Sequence, residues 1–175
     1  MGLFTNTEFH SLEDLLVDQL KDLYDAENRL VEALPKMAEA AYTPKLREAF
    51  SSHLAETRNH VARLDQAFTA LGVPPERETC AAMKGLISEG SQVIDAKGDL
   101  VVRDAALIAA AQRVEHYEMA GYGSARTFAQ QLGLREIAAL LQSTLNEEGG
   151  ADKKLTELAV TQINVEALRS KTASV

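Results

Sequence analysis

The sequence predicts an all-α fold, a four-helix bundle with one long crossover, and three observations carry the prediction. Ala, Leu, Glu, Lys and Arg predominate, while aromatic residues make up only 5% of the 175 residues, the composition of long helices. Apolar residues recur every three or four positions over four long stretches, and no stretch keeps the period of two that a half-buried strand needs. The two halves also repeat one plan, a long helix, a tight break and a second helix, with a single long connection between them.

Ser11-x-x-Asp14 starts the first helix with a hydroxyl cap and an acid in the first turn. Leu12, Leu16, Leu20, Leu23, Glu27, Leu30, Leu34 and Met37 form its inner stripe, which gives a helix over about 11–40. Pro35 lies within that pattern and predicts a kink or an early end near Lys36. Thr43-Pro44 opens a second helix over 44–71, with Leu46, Ala49, His53, Glu56, His60, Leu64 and Ala67 on one face, and Gly72 with Pro74-Pro75 ends it. Residues 76–98 contain Gly85, Gly90 and Gly98 and are too long for a turn, so they read as a connection across the body with a short helix at 79–95. Asp99 caps a third long helix over 99–131, whose stripe includes Asp104, Ile108, Glu115, Glu118 and Tyr122. Gly133 breaks the chain before a fourth helix at 134–165, with Leu141, Leu145, Glu148, Asp152 and Leu155 inward, and the tail from about Leu168 is expected to fray. Two helix pairs joined by one crossover have ferritin-like connectivity, in one domain spanning 1–175.

Seven acidic or imidazole side chains lie on these inner stripes: Glu27, Glu56, His60, Glu115, Glu118, Glu148 and Asp152. A carboxylate facing a core is costly unless a positive charge balances it. Glu115 and Glu118, at i and i+3, repel one another on one helix face, a cost that a cation would reverse. Carboxylate oxygens and imidazole nitrogens suit iron or manganese, with zinc as a substitute, and bridging carboxylates hold two ions about 3.5–4 Å apart. A bundle commonly supplies such ligands as one Glu from each of two helices, plus Glu with an i+3 partner from the other two. Here the partners His60 and Asp152 stand at i+4, and a one-residue bulge, eased by Gly149-Gly150, would restore the register. Glu147 and Glu148 cannot both face inward, and the stripe selects Glu148, leaving Glu147 to solvent. In the internal repeat Glu118 matches Glu27 and is expected to bridge, with Glu115 as a terminal ligand. Ordinary structural roles for single members remain open, such as Glu27 pairing with Arg29 or Lys36, and Glu115 with Arg113 or Arg126.

A net charge of -8 without a run of Lys or Arg argues against nucleic-acid binding. Cys80 is the only cysteine, which excludes an internal disulfide, a Cys-rich zinc site and a rubredoxin-like iron site within the chain. Met1–Thr5 shows no leader pattern and no apolar run approaches the ~20 residues of a membrane span, so a cytoplasmic protein without membrane contact is expected.

The segments Leu23-Tyr24-Asp25-Ala26-Glu27-Asn28-Arg29-Leu30, His53-Leu54-Ala55-Glu56-Thr57-Arg58, Val114-Glu115-His116-Tyr117-Glu118 and Asp152-Lys153-Lys154-Leu155-Thr156-Glu157-Leu158-Ala159 resemble the YciE/YciF family of bacterial stress-associated proteins, over about Leu12 to Ala167. The resemblance implies a ferritin-like bundle related to the rubrerythrins, a dimetal centre and homodimers. It implies Glu27, Glu56, Glu118 and Glu148 as ligands, with Glu115, His60 and Asp152 around them. The expected function is a dimetal carboxylate protein reacting with peroxide or dioxygen at a di-iron or dimanganese site, with two ions per chain. Metal storage or buffering, and a non-catalytic stress scaffold with a vestigial site, are the alternatives. Tyr24 and Tyr122, a turn from Glu27 and Glu118, are expected to pack, with a hydrogen bond or an electron to the site as the second role.

Overall fold

A computed structural model describes residues 8–170, and all regular structure among them is helical. The elements are α1 (Leu12–Ala40), α2 (Pro44–Leu71), α3 (Ala81–Ile94), α4 (Leu100–Gln131) and α5 (Arg135–Leu158), then a π turn (Ala159–Ile163) and α6 (Asn164–Ser170). The Met1–Thr5 pattern and the end of the tail lie outside the described residues, while Leu168–Ser170 are still helical.

Each long helix begins and ends for a local reason. Ser11 Oγ accepts the Asp14 N–H at 3.0 Å, and the Asp14 carboxylate accepts the His10 N–H at 3.1 Å, a reciprocal cap. Asp99 Oδ1 caps α4 through the N–H groups of Val101 and Val102. Gly72 at φ 69° and Gly133 at φ 75° adopt the left-handed conformation that closes α2 and follows α4. The turn between α1 and α2 is held from a distance, because buried Asp104 on α4 accepts the N–H groups of Tyr42 at 2.9 Å and Thr43 at 2.7 Å. Thr43 itself makes no side-chain cap.

Pro35 does not end α1, which continues to Ala40. The ring lies on the exposed face, so the lost backbone bond faces water and leaves the packed stripe of Leu34 and Met37 in place. The bulge expected at Gly149-Gly150 is absent as well, since α5 is α-helical through both. The helical distortion is the π turn at 159–163. An extra residue there re-phases the helix, so that Ile163 returns to the side of buried Leu155 and is itself fully buried.

α1 with α2, and α4 with α5, form two hairpins that meet through α1–α4 and α2–α5 contacts. α3 lies in the crossover, against α1 and α4. Buried Asp25 fixes that crossover to α1, accepting from Arg29 Nε at 2.5 Å, the Cys80 N–H at 2.9 Å and Arg77 Nε at 3.0 Å. Burial would raise the Asp25 pKa, but Arg29, the Cys80 N–H and Arg77 outweigh it and hold the carboxyl below its ordinary range. Where α1 and α4 cross, Gly121 lets the backbones approach, since a Cβ there would lie 2.9 Å from Leu23 Cδ2.

The interior has two apolar compartments. One, around Leu30, Leu46, Phe50 and Ile108, fills the end bearing the α1–α2 turn; the other, around Leu20, Leu64, Phe68 and Ala125, fills the opposite end. Between them runs a layer of buried polar side chains. No helix among the described residues is long and apolar enough to cross a membrane.

Candidate metal centre

The polar layer takes one or two side chains from each long helix. α1 contributes Glu27, α2 contributes His53 and His60, α4 contributes Glu115 and Glu118, and α5 contributes Glu148. Residues 53 and 60 lie seven apart, two turns along one face, so both rings of α2 enter the same layer. Glu27, His60, Glu118 and Glu148 have no solvent exposure, Glu115 is 2% exposed and His53 6%. Their donor atoms form two groups, His53 with Glu115, Glu118 and Glu148, and Glu27 with His60 and Glu148, each within 4.8 Å.

The layer lacks the hydrogen bonds that would make it a self-sufficient network. Both oxygens of Glu118 and of Glu148, one each of Glu27 and Glu115, His53 Nε2 and His60 Nδ1 are buried without a hydrogen-bond partner. His60 Nδ1 stands 2.9 Å from Glu148 Oε1 and 3.2 Å from Glu27 Oε1, yet is aligned with neither. His53 Nε2 is 3.4 Å from Glu115 Oε1 and 3.6 Å from Glu148 Oε2 in the same unaligned way. Native interiors satisfy nearly all buried polar atoms, so a cluster of orphaned acceptors calls for a cation. The donor set is all oxygen and imidazole nitrogen, which suits iron, manganese or zinc. Four carboxylates also balance two divalent ions with both imidazoles neutral.

The bonds that the layer does make point outward and fix its orientation. Tyr122 Oη donates to Glu27 Oε1 at 2.5 Å. His60 Nε2 contacts Glu147 Oε2 at 2.8 Å, and Arg63 grips Glu147 with two bonds of 2.6 and 2.8 Å. A carboxylate on Nε2 fixes the tautomer that leaves Nδ1 free to ligate. His53 Nδ1 rests 3.3 Å from Glu56 Oε2 in a parallel arrangement.

Without a cation the layer titrates abnormally. Burial, reinforced by Glu27, Glu148 and Glu115, pushes the Glu118 carboxyl well above its usual range, and burial with Glu148 does the same to Glu115. Glu27 rises too, mainly through burial, with His60 and Tyr122 opposing. For the imidazoles burial works against the proton, but the neighbouring carboxylates outweigh it, raising His53 to about 9 and His60 to about 10. The acids retain protons that they would shed in water, and the imidazoles hold theirs more tightly.

Of the seven side chains marked by the sequence, the structure brings together Glu27, His60, Glu115, Glu118 and Glu148. Glu56 and Asp152 lie outside both groups. The inner face of α2 follows His53, Thr57, His60 and Leu64, which leaves Glu56 on its flank with 42% of its side chain exposed. Asp152 flanks the face of Thr144, Glu148 and Leu155, and bonds Gln112 while standing 3.3 Å from His116. One expectation changes outright: Glu147 is not given over to solvent but supports His60. Glu148 is common to both groups, and Glu118 stands in that of His53. α5 packs against both α2 and α4, so its inward carboxylate reaches donors of both halves. His53 is the member that sequence reasoning did not single out as a ligand; its seven-residue spacing from His60 was the available signal. Glu27 and Glu115 leave Arg29 and Arg126 to other partners, Asp25 and Gln142. Tyr24 packs its ring edge-on to Phe68, whereas Tyr122 bonds Glu27.

Between α2 and α5 a cavity of about 200 Å³ leads to the His53 and Glu115 side of the layer, with Glu56, Glu147, Gly150 and Lys154 among its walls.

Residues 11–168 match the family described as "Domain of unknown function (DUF892)", and the chain belongs to that family. It is 47% identical over 158 residues to protein YciF of Escherichia coli K12, covering 90% of this chain and 95% of that one. The crystal structure of the E. coli stress protein YciF superposes with a TM-score of 0.86 at 46% identity, over 89% of this chain and 99% of that chain. YcfI of Rhodopseudomonas palustris gives 0.83 at 42% identity, over 87% and 98%. A protein of Xanthomonas campestris pv. campestris shares the fold, at a TM-score of 0.72 and 20% identity over 92% and 99%.

Proposed function

We propose that this member of the DUF892 family is a dimetal carboxylate protein of the stress response, reacting with peroxide or dioxygen at a di-iron or dimanganese site. The observation that carries the reading is the pair of donor groups sharing Glu148, with six of their carboxylate oxygens buried and unpartnered. Glu27 with His60 would hold one ion and His53 with Glu115 and Glu118 the other, with Glu148 within reach of both. When bound, such a centre supplies the redox electrons that activate or reduce an O–O bond.

The chain's own residues supply the rest. Glu147, clamped by Arg63, keeps His60 in the tautomer whose Nδ1 faces the layer. Tyr122 holds the Glu27 carboxylate and has a proton to share with it. The two apolar compartments exclude water from both ends, so a small oxidant would arrive through the α2–α5 cavity. At its wall half-exposed Glu56 touches His53 Nδ1, a route by which a proton can pass from solvent to the ring.

The decisive experiment is the elemental analysis of protein purified anaerobically from iron- and manganese-supplemented cells. About two ions per chain are expected, together with a spectral change on adding peroxide. Stoichiometric metal that persists in a folded Glu27→Ala/Glu148→Ala variant would overturn the assignment. Full loading without a response to peroxide would turn the reading to storage, and a metal-free native protein to a scaffold. The same reading takes the protein as a cytoplasmic homodimer. Exposed Tyr42, Leu100, Val102 and Val160 at one end of the bundle support association, and sedimentation equilibrium tests it.

A further inference from the structure

Gly90 is a buried residue in the middle of α3, yet a Cβ built on it would meet nothing within 4 Å. A glycine inside a helix weakens it, and the usual compensation is a close approach of another backbone or a left-handed turn. Neither holds here, since no other group crowds Gly90 and its φ is not positive. What lies beside it is a cavity of about 170 Å³ in the cleft between α1, α3 and α4. The helix therefore forgoes a side chain where one would fill that space.

The cavity's lining combines two chemistries. Leu30, Met37, Ile87 and Val114 are among its apolar walls. Arg29, Lys36 and Lys84 also line it, against one acid, Glu32, a local excess of positive charge on a protein of net charge -8. Among the described residues Lys36 and Lys84 take part in no ion pair, and Arg29 engages Asp25 only through Nε.

We propose that this cleft is a binding site for a small carboxylic acid with an apolar body, the chain lying beside Gly90 and the carboxylate at Lys36 and Lys84. A neutral apolar molecule would leave the cations unused, and a small hydrophilic anion would leave the apolar walls wet. The site is separate from the acid layer and does not depend on metal there.

Octanoate serves as the probe, followed by calorimetry and by the methyl resonances of Met37, Ile87 and Ile94. Saturable binding of one octanoate per chain is expected, with acetate and octan-1-ol each at least about tenfold weaker. Lys36→Gln/Lys84→Gln should weaken octanoate by about tenfold or more and leave octan-1-ol unchanged. Gly90→Leu should abolish binding while keeping or raising Tm, and Gly85→Ala, on the exposed side of the same helix, should keep it. If Gly90→Leu does not fold, Gly90→Ala replaces it, and partial filling must still weaken octanoate. The proposal fails if octan-1-ol binds as well as octanoate, or if the folded Gly90 variant retains full affinity. It fails equally if that variant changes the sedimenting mass and not the affinity, since the cleft would then receive a second copy of the chain.

Discussion

Glu118 offers the sharpest test of the acid layer, because its two oxygens are fully buried and neither has a hydrogen-bond partner. Three carboxylates, Glu27, Glu148 and Glu115, press on it, and burial drives its pKa well above the ordinary range. In the metal-free protein such a group is a net cost. Leaving a buried polar group unsatisfied costs about 1–3 kcal/mol, and a methionine of similar length returns part of that to imperfect fit, so Glu118→Met should gain about 1–2 kcal/mol. For a chain of this size that raises Tm by about 2–8 °C. With metal the order should reverse. Wild type at a free-ion concentration of a hundred times Kd gains about 2.7 kcal/mol, while the variant, short of one carboxylate in both coordination and charge, should gain little. Calorimetry in chelator and then in saturating Mn(II), with isosteric Glu118→Gln as a control for packing, gives all the temperatures needed. Metal-free Glu118→Met and Glu118→Gln proteins that both melt below wild type would show that the carboxyl already has a stabilising partner. A full metal response in both variants would remove Glu118 from the site.

Further predictions concern pH, the support around His60 and the helix contacts. The raised acids Glu27, Glu115 and Glu118, and His53 and His60 raised to about 9 and about 10, all bind protons more tightly when folded. Their contribution is therefore greatest at low pH, and metal-free stability should fall as pH climbs from the imidazole range of 6.5 through 9 to 10, while the gain from metal grows because binding expels those protons; thermal melts at stepped pH, with and without Mn(II), would show a flat or rising metal-free curve if this is wrong. Glu147→Ala removes the carboxylate that orients His60 and should weaken metal binding by about 10–100-fold without loss of fold, whereas Glu56→Ala should keep both ions; competition with a chelator measures each. Gly121→Ala sets a methyl 2.9 Å from Leu23 Cδ2 and should cost about 1–3 kcal/mol in urea unfolding, unless that side chain swings aside freely. Asp104→Ala leaves the N–H groups of Tyr42 and Thr43 without their acceptor and should cost about 2–4 kcal/mol by the same assay.

The bundle was legible because its signals are local and periodic. Ser11, Asp99, Gly72 and Gly133 mark ends through chemistry within a few residues of themselves, and the leucine stripes report one buried face. The contents of the site were legible only as far as helix phase is exact. A stripe counted in steps of three and four cannot separate His53 from Glu56, or Glu148 from Asp152, when both members fall within a quadrant of one face. The structure resolves them through the neighbouring helices: the face of α2 turned to α1 and α5 is that of His53, Thr57 and His60. Glu147 escaped for a different reason. Its role depends on Arg63, 84 residues away, and no periodicity connects the two.

The same geometry explains why the bundle can carry so costly a layer. Both halves of the chain contribute to each of the apolar compartments that flank it, so the polar residues interrupt the core without opening it at the ends. The supporting bonds all arrive from outside the layer: Tyr122 on Glu27, Arg63 through Glu147 on His60, and Glu56 on His53. They hold the rings and one carboxylate in place without satisfying Glu118 or Glu148. A layer built only for fold specificity would pair its acids with the arginines nearby, yet Arg29, Arg63 and Arg126 are committed to Asp25, Glu147 and Gln142 instead. The inner oxygens are thus left facing one another, an arrangement that a cation turns from repulsion into coordination.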